Sequence, residues 1–260
     1  MLVLFPLAVA MVVVFAGVIF VGGVALAEPR FVIPKTEDTR EIVMRGGVFG
    51  PMVAIVHVGE SVTWTNLDAT AHSAVAFPAD GPSFQVAVAP GESESVTFTQ
   101  PGVYRYYSRE DACYNPFLNS VEANAASPGF PAPMRGAIVV LGKGDTVPLS
   151  ASTTVNISDG SRLFEPWAVT VKTGSTVTWV NHDCGMHVVA TVPQLAATVM
   201  PTLSLPGDGG TASHTFRQPG VYYYDCSGYA EWDASRGTVV PLKSHRSFPH
   251  VMDGLVIVTP

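Results

Sequence analysis

Positive charge is scarce in this chain. Of 260 residues only 14 are Lys or Arg, against 21 Asp or Glu, which leaves a formal net charge of −7. A nucleic-acid surface needs a basic footprint, so that class of partner is excluded. Charged residues of both signs make up only 13% while 47% is hydrophobic, the reverse of the balance that keeps a chain disordered. Cysteine is limited to Cys113, Cys184 and Cys226, so any pairing leaves one over. The signatures of three common chemistries are missing: no Gly-x-x-x-x-Gly-Lys phosphate loop, no Gly-x-Ser-x-Gly nucleophile elbow and no His-Glu-x-x-His zinc helix. No helical period sustains itself after Ala27.

What is present points to β structure. The 24 Gly and 21 Pro punctuate short runs rich in Val, Thr and Tyr. Strands are predicted in the first half at Met52–Val58, Ser61–Asn66, His72–Phe77, Ser93–Phe98, Val103–Tyr107 and Gly136–Leu141. In the second half they are predicted at Thr153–Ile157, Trp167–Val171, Ser175–Asn181, His187–Val192, Thr211–Phe216, Val221–Cys226 and Leu255–Thr259. That density suits Greek-key sandwiches. Two long segments, Glu110–Pro133 and Ser227–Pro249, lack a pattern, and each has room for a helical turn.

The stretch Leu2–Ala27 is apolar and uncharged, long enough to span a bilayer as a helix. Ala25-Leu26-Ala27 before Glu28 also has the small-x-small form of a signal cleavage site. As anchor or as signal, residues 1–27 direct the rest of the chain out of the cytoplasm. Residues 28–141 then form a first domain, residues 142–152 a linker around the breaker run Gly142–Pro148, and residues 153–260 a second domain.

The two domains are copies. Gly59, Val62, Trp64, Asn66, Asp68 and His72 recur as Gly174, Val177, Trp179, Asn181, Asp183 and His187, a constant shift of 187 − 72 = 115. Gln100-Pro101-Gly102-Val103-Tyr104 recurs as Gln218-Pro219-Gly220-Val221-Tyr222 at a shift of 118, as does Met134 as Met252. Six residues past each repeated Gly the copies part, with Ser108 in the first and Cys226 in the second.

Trp-x-Asn-x-Asp-x-x-x-His, then Gly-x-Tyr-x-Tyr-x-Cys, then His and Met before Gly-x-Val-x-Val resembles the cupredoxin family of plastocyanin, amicyanin and azurin. The resemblance covers nearly all of both domains and implies an all-β fold of two tandem Greek-key sandwiches after an N-terminal hydrophobic helix. In the second domain it implies one mononuclear copper held by His187, Cys226, His250 and Met252, with His245 the second choice for the later imidazole. A trigonal His₂Cys set with a weak axial Met suits both oxidation states of copper. It needs no open position, so the implied protein is an electron carrier with a redox partner protein or membrane complex, not an enzyme with a small-molecule substrate. Paired His-x-His motifs, which a trinuclear copper cluster uses, are absent. The chain departs from the family in a longer loop between Cys226 and Met252, and in Val188 where the family has an Asn that helps hold the thiolate loop. The first domain lacks the set: Ser108 and Ala132 stand at the positions of Cys226 and His250. Cys113 with His72 lacks a second imidazole, because the only other His there is His57.

Two rival readings stay open. In one, Cys184 and Cys226 form a disulfide, and the protein is a metal-free accessory subunit of a membrane complex. In the other, His182, Met186, His214 and His245 form a soft-ligand face that stores or delivers copper.

Overall fold

The computed structural model describes residues 40–80, 82–161, 163–196, 199–244 and 248–260. The predicted N-terminal helix and His245 lie outside the described residues. Among the described residues there is no helix, and so none long and apolar enough to cross a membrane.

Among the described residues eleven strands build the first half: β1 (Glu41–Arg45), β2 (Val48–Gly50), β3 (Val53–His57), β4 (Ser61–Asn66), β5 (His72–Ala76), β6 (Gln85–Val88), β7 (Ser93–Thr97), β8 (Gly102–Tyr107), β9 (Ala112–Asn115), β10 (Ser120–Ala123) and β11 (Arg135–Leu141). Eleven more build the second: β12 (Thr154–Ile157), β13 (Phe164–Glu165), β14 (Ala168–Lys172), β15 (Thr176–Asn181), β16 (His187–Thr191), β17 (Leu203–Leu205), β18 (Gly210–Thr215), β19 (Gly220–Cys226), β20 (Ala230–Asp233), β21 (Thr238–Pro241) and β22 (Asp253–Thr259). The first half pairs its strands in the orders β2-β1-β4-β7 and β3-β11-β8-β5-β6. The second half uses β13-β12-β15-β18 and β14-β22-β19-β16-β17, the same orders with every strand number raised by eleven. In each half the four-stranded sheet faces the five-stranded one across a core that holds Trp64 and Tyr106, or Trp179 and Tyr224.

The alternation of apolar and polar residues explains why these segments are strands. Ser61–Asn66 and Thr176–Asn181 bury every second side chain, as a strand with one face on a core must. The closing strands behave differently. All seven residues of β22 are buried, because its inner face lines the core and its outer face meets the other half. Ala137 and Val139 of β11 pack with Leu255 and Ile257 of β22 in one apolar cluster. These are the same positions in the two copies, 118 residues apart, so equivalent sheet faces meet.

The two long segments differ from expectation. Each carries a β-hairpin rather than a helical turn: β9 pairs with β10 in the first half, and β20 with β21 in the second. Pairing within each hairpin satisfies backbone groups that a bare loop would leave to water.

Candidate metal centre

β16 begins at His187 and β19 ends at Cys226, and the two strands are hydrogen-bonded neighbours with Val189 opposite Cys226. This pairing brings together two side chains that lie 39 residues apart. His187 Nδ1 is 3.6 Å from Cys226 Sγ, and both residues are fully buried. The other ring nitrogen, Nε2, lies 3.2 Å from Asp183 Oδ2. A carboxylate only accepts, so the proton sits on Nε2 and the Nδ1 lone pair faces the thiol. Asp183 is itself held by the turn: its backbone N–H donates to Asn181 Oδ1 (3.0 Å), and the Asn181 amide donates to the Gly185 carbonyl (2.7 Å). The Tyr229 ring stacks on the imidazole at 4.8 Å between centroids.

The thiol is set in a shell of backbone donors. The Val188 N–H donates to Sγ at 3.3 Å, so a backbone group of the residue that replaces Asn touches the sulfur directly. Burial pushes the Cys226 thiol up, while N–H groups of Val188, Gly228 and Tyr229 pull against it. Such a sulfur stays a thiol until a cation claims it. Next to it, burial pushes the Asp225 carboxyl up to about 7. Met252 is fully buried in the same core cluster as Cys226, and its carbonyl accepts the Cys226 N–H at 2.9 Å.

His250 is placed otherwise. Its Nε2 lies 3.1 Å from Glu122 Oε1 of the first half, and its Nδ1 is buried without a hydrogen-bond partner. Burial holds its imidazole below the usual value against the opposing pull of Glu122 and of the Val121 backbone. Among the described residues no three of His, Cys, Asp and Glu gather closely enough to hold a metal ion. The structure therefore brings His187, Cys226 and Met252 to one end of the second sandwich and ties His250 to the facing half.

Residues 151–240 match the family model for copper binding proteins of the plastocyanin/azurin family. Solved structures similar to the chain include an oxidised single-site variant of amicyanin, 22% identical over 40% of this chain and 82% of that one, with a TM-score of 0.29. The Cu(I) form of another amicyanin variant is 21% identical over 40% of this chain and 83% of that one, also with a TM-score of 0.29.

The His187–Cys226 site has a counterpart in the first half, filled by a carboxylate. His72 Nε2 lies 3.0 Å from Asp68 Oδ2, as His187 does from Asp183. Its Nδ1, however, meets Asp111 Oδ2 at 2.7 Å, and the same oxygen lies 2.6 Å from Ser108 Oγ. Asp111 thus joins the two side chains that correspond to His187 and Cys226. Ser127 donates to its other oxygen at 2.7 Å. Burial pulls the His72 imidazole down, but Asp111 and Asp68 outweigh it and the net shift is upward. Burial likewise pushes Asp111 up, and His72, Ser108 and Ser127 bring it net below the usual carboxylate value. Sequence reasoning passed over Asp111. Its signal is weak: an acid three residues past Ser108, at the place that Tyr229 holds in the second copy.

All three cysteines are free, Cys113 and Cys184 exposed and Cys226 buried. The Cys184–Cys226 disulfide is therefore not formed: the Cys226 sulfur turns inward to His187, while Cys184 sits in an exposed turn.

Proposed function

We propose that this chain is an exported, membrane-tethered tandem cupredoxin. Residues 28–141 are a metal-free domain. Residues 153–260 hold one mononuclear copper and pass single electrons to a redox partner protein. His187, Cys226, His250 and Met252 are the ligands, with His245 the alternative for the later imidazole. Residues 1–27 are the tether, and the protein works on the outer side of the cytoplasmic membrane.

The observation that carries this reading is the His187–Cys226 pair, an imidazole lone pair 3.6 Å from a buried thiol with the opposite ring nitrogen held by Asp183. Metal-bound histidines characteristically give their second nitrogen to a carboxylate, which sets ring orientation and ligand basicity. His250 repeats the division, with Nε2 on Glu122 and a buried Nδ1 lacking a partner. Copper bound here supplies one-electron chemistry. The chain's own part is to fix the imidazole through Asp183, to aim the Val188 N–H at the sulfur, and to exclude water by burying both side chains.

Adding Cu(II) to the metal-free protein is expected to give an intense visible thiolate-to-copper absorption at one copper per chain. The band is expected to vanish in Cys226→Ser. A colourless protein at full copper supply defeats the reading, and colourless uptake of several Cu(I) per chain supports copper storage or delivery instead.

A further inference from the structure

We propose that the first half serves as the outer shell of the metal loop in the second, with Glu122 and Arg135 as positioning residues. The inference rests on the copper reading above. The loop segment His250–Asp253 carries two of the proposed ligands, and contacts from the first half bracket it. At one end His250 Nε2 meets Glu122 Oε1 at 3.1 Å. At the other, Arg135 Nη2 donates to Asp253 Oδ2 at 2.5 Å. Between them Val251 is buried in the apolar cluster that both halves share, and Met252 is buried in the second half's own core.

The charges fit this division. Arg135 and Asp253 hold the same position in the two copies, since 253 − 135 = 118. Where equivalent faces meet, identical residues would set like charges together. The copies instead carry opposite charges, and Asp253 also accepts from Trp167 Nε1 at 3.1 Å and from the Tyr223 hydroxyl. The loop is thus pinned at a point with almost no freedom. His250 corresponds to the buried Ala132, and the Glu122 that holds it corresponds to Val240. Both members of this contact are therefore found in one copy only. Outer-shell acids of this type hold a ligating imidazole in one orientation, and their loss costs roughly 10–100-fold in metal affinity.

The test uses the full chain loaded with Cu(II). Glu122→Ala is expected to lower copper affinity by about 10–100-fold in competition with a chelator, and to shift both the visible band and the reduction potential. Glu122→Gln, which keeps a hydrogen-bond acceptor, is expected to fall between Glu122→Ala and wild type. The exposed Glu94→Gln serves as the control for charge alone and is expected to match wild type. Arg135→Gln is expected to shift the band in the same sense, with the melting temperature of each metal-free variant recorded to separate folding from positioning. Wild-type affinity, band and potential in both Glu122 variants overturn the inference alone. A wild type that takes up no copper overturns the copper reading and the inference with it.

Discussion

At the scale of single residues, the two copies show two ways of holding one corner of a sandwich. In the second half an imidazole and a thiol face each other at 3.6 Å. In the first, the Asp111 carboxylate links His72 to Ser108. Both ring nitrogens of His72 lie on carboxylates, so the ring is a buried cation between two anions. Removing one member of a buried ion pair leaves the other uncompensated, at a cost of about 3–5 kcal/mol. Asp111→Ala is expected to destabilise the metal-free protein by that amount in denaturant titration. The pH dependence has two limbs. The His72 pKa is raised on folding, so its contribution is complete below the unfolded value of about 6.5 and is lost as pH rises through the folded value. The Asp111 pKa is lowered, so its contribution is complete above about 3.9 and is lost as pH falls through the folded value. The stability difference between wild type and Asp111→Asn is therefore expected to be greatest between about pH 4 and 6.5. A difference that stays flat from pH 3 to 9 contradicts this account of the corner.

At the scale of elements, the repeated strands were legible because their patterns are local. Ser61–Asn66 has the predicted bounds, and His187 and Cys226 fall at the predicted strand ends. The short β1, β2, β6, β13 and β17 were not legible. Segments such as Val48–Gly50 and Leu203–Leu205 are three residues long and take their form from the neighbour they pair with. The hairpins were missed for a related reason: Ala112–Asn115 and Ala230–Asp233 carry mixed residues whose strand form depends on the partner across the turn. The site was half legible. Motif order pointed to His187 and Cys226, but nothing local shows that His250 reaches across to Glu122. Glycines in the closing strands have a requirement that is visible only in three dimensions. A Cβ on Gly136 would lie 2.4 Å from Tyr106 Oη, and one on Gly254 would lie 2.4 Å from Tyr224 Oη. These are equivalent positions, and each tyrosine packs edge-on against the core tryptophan of its half. Gly136→Ala is expected to cost about 1–3 kcal/mol through overpacking. Gly228→Ala, whose added carbon meets nothing within 4 Å, is expected to stay within about 0.5 kcal/mol of wild type. Equal midpoints for the two variants in urea would show that the tyrosine does not fill that space.

At the scale of the whole molecule, duplication gave two sandwiches whose closing sheets could be shared. An apolar sheet face open to water favours association, and here each copy covers the other. Met52, Val53, Ala137 and Val139 from the first half join Val221, Tyr223, Leu255 and Ile257 from the second in one buried cluster. Arg236 extends the contact by donating to the Phe130 carbonyl at 3.2 Å, and the Phe130 and Phe248 rings meet at 5.7 Å. An interface of this kind couples the folding of its two sides, because neither half can open without exposing the shared cluster. The metal-free chain is therefore expected to unfold in a single transition, with fluorescence and circular dichroism midpoints in agreement. Ile257→Ala tests the coupling. Its side chain is almost wholly buried on the face of β22 turned to the other half, and removing it is expected to cost about 2–5 kcal/mol. Because the cavity opens in the shared cluster, the loss is expected to lower the midpoint of both halves together. Trp64 is in the first half, and Trp167, Trp179 and Trp232 are in the second, so a Trp64→Phe version of the variant reports the second half alone, and a version with Trp167→Phe, Trp179→Phe and Trp232→Phe together reports the first. If the first half keeps its midpoint while the second falls, the halves fold independently, and the facing sheets are in contact without being coupled.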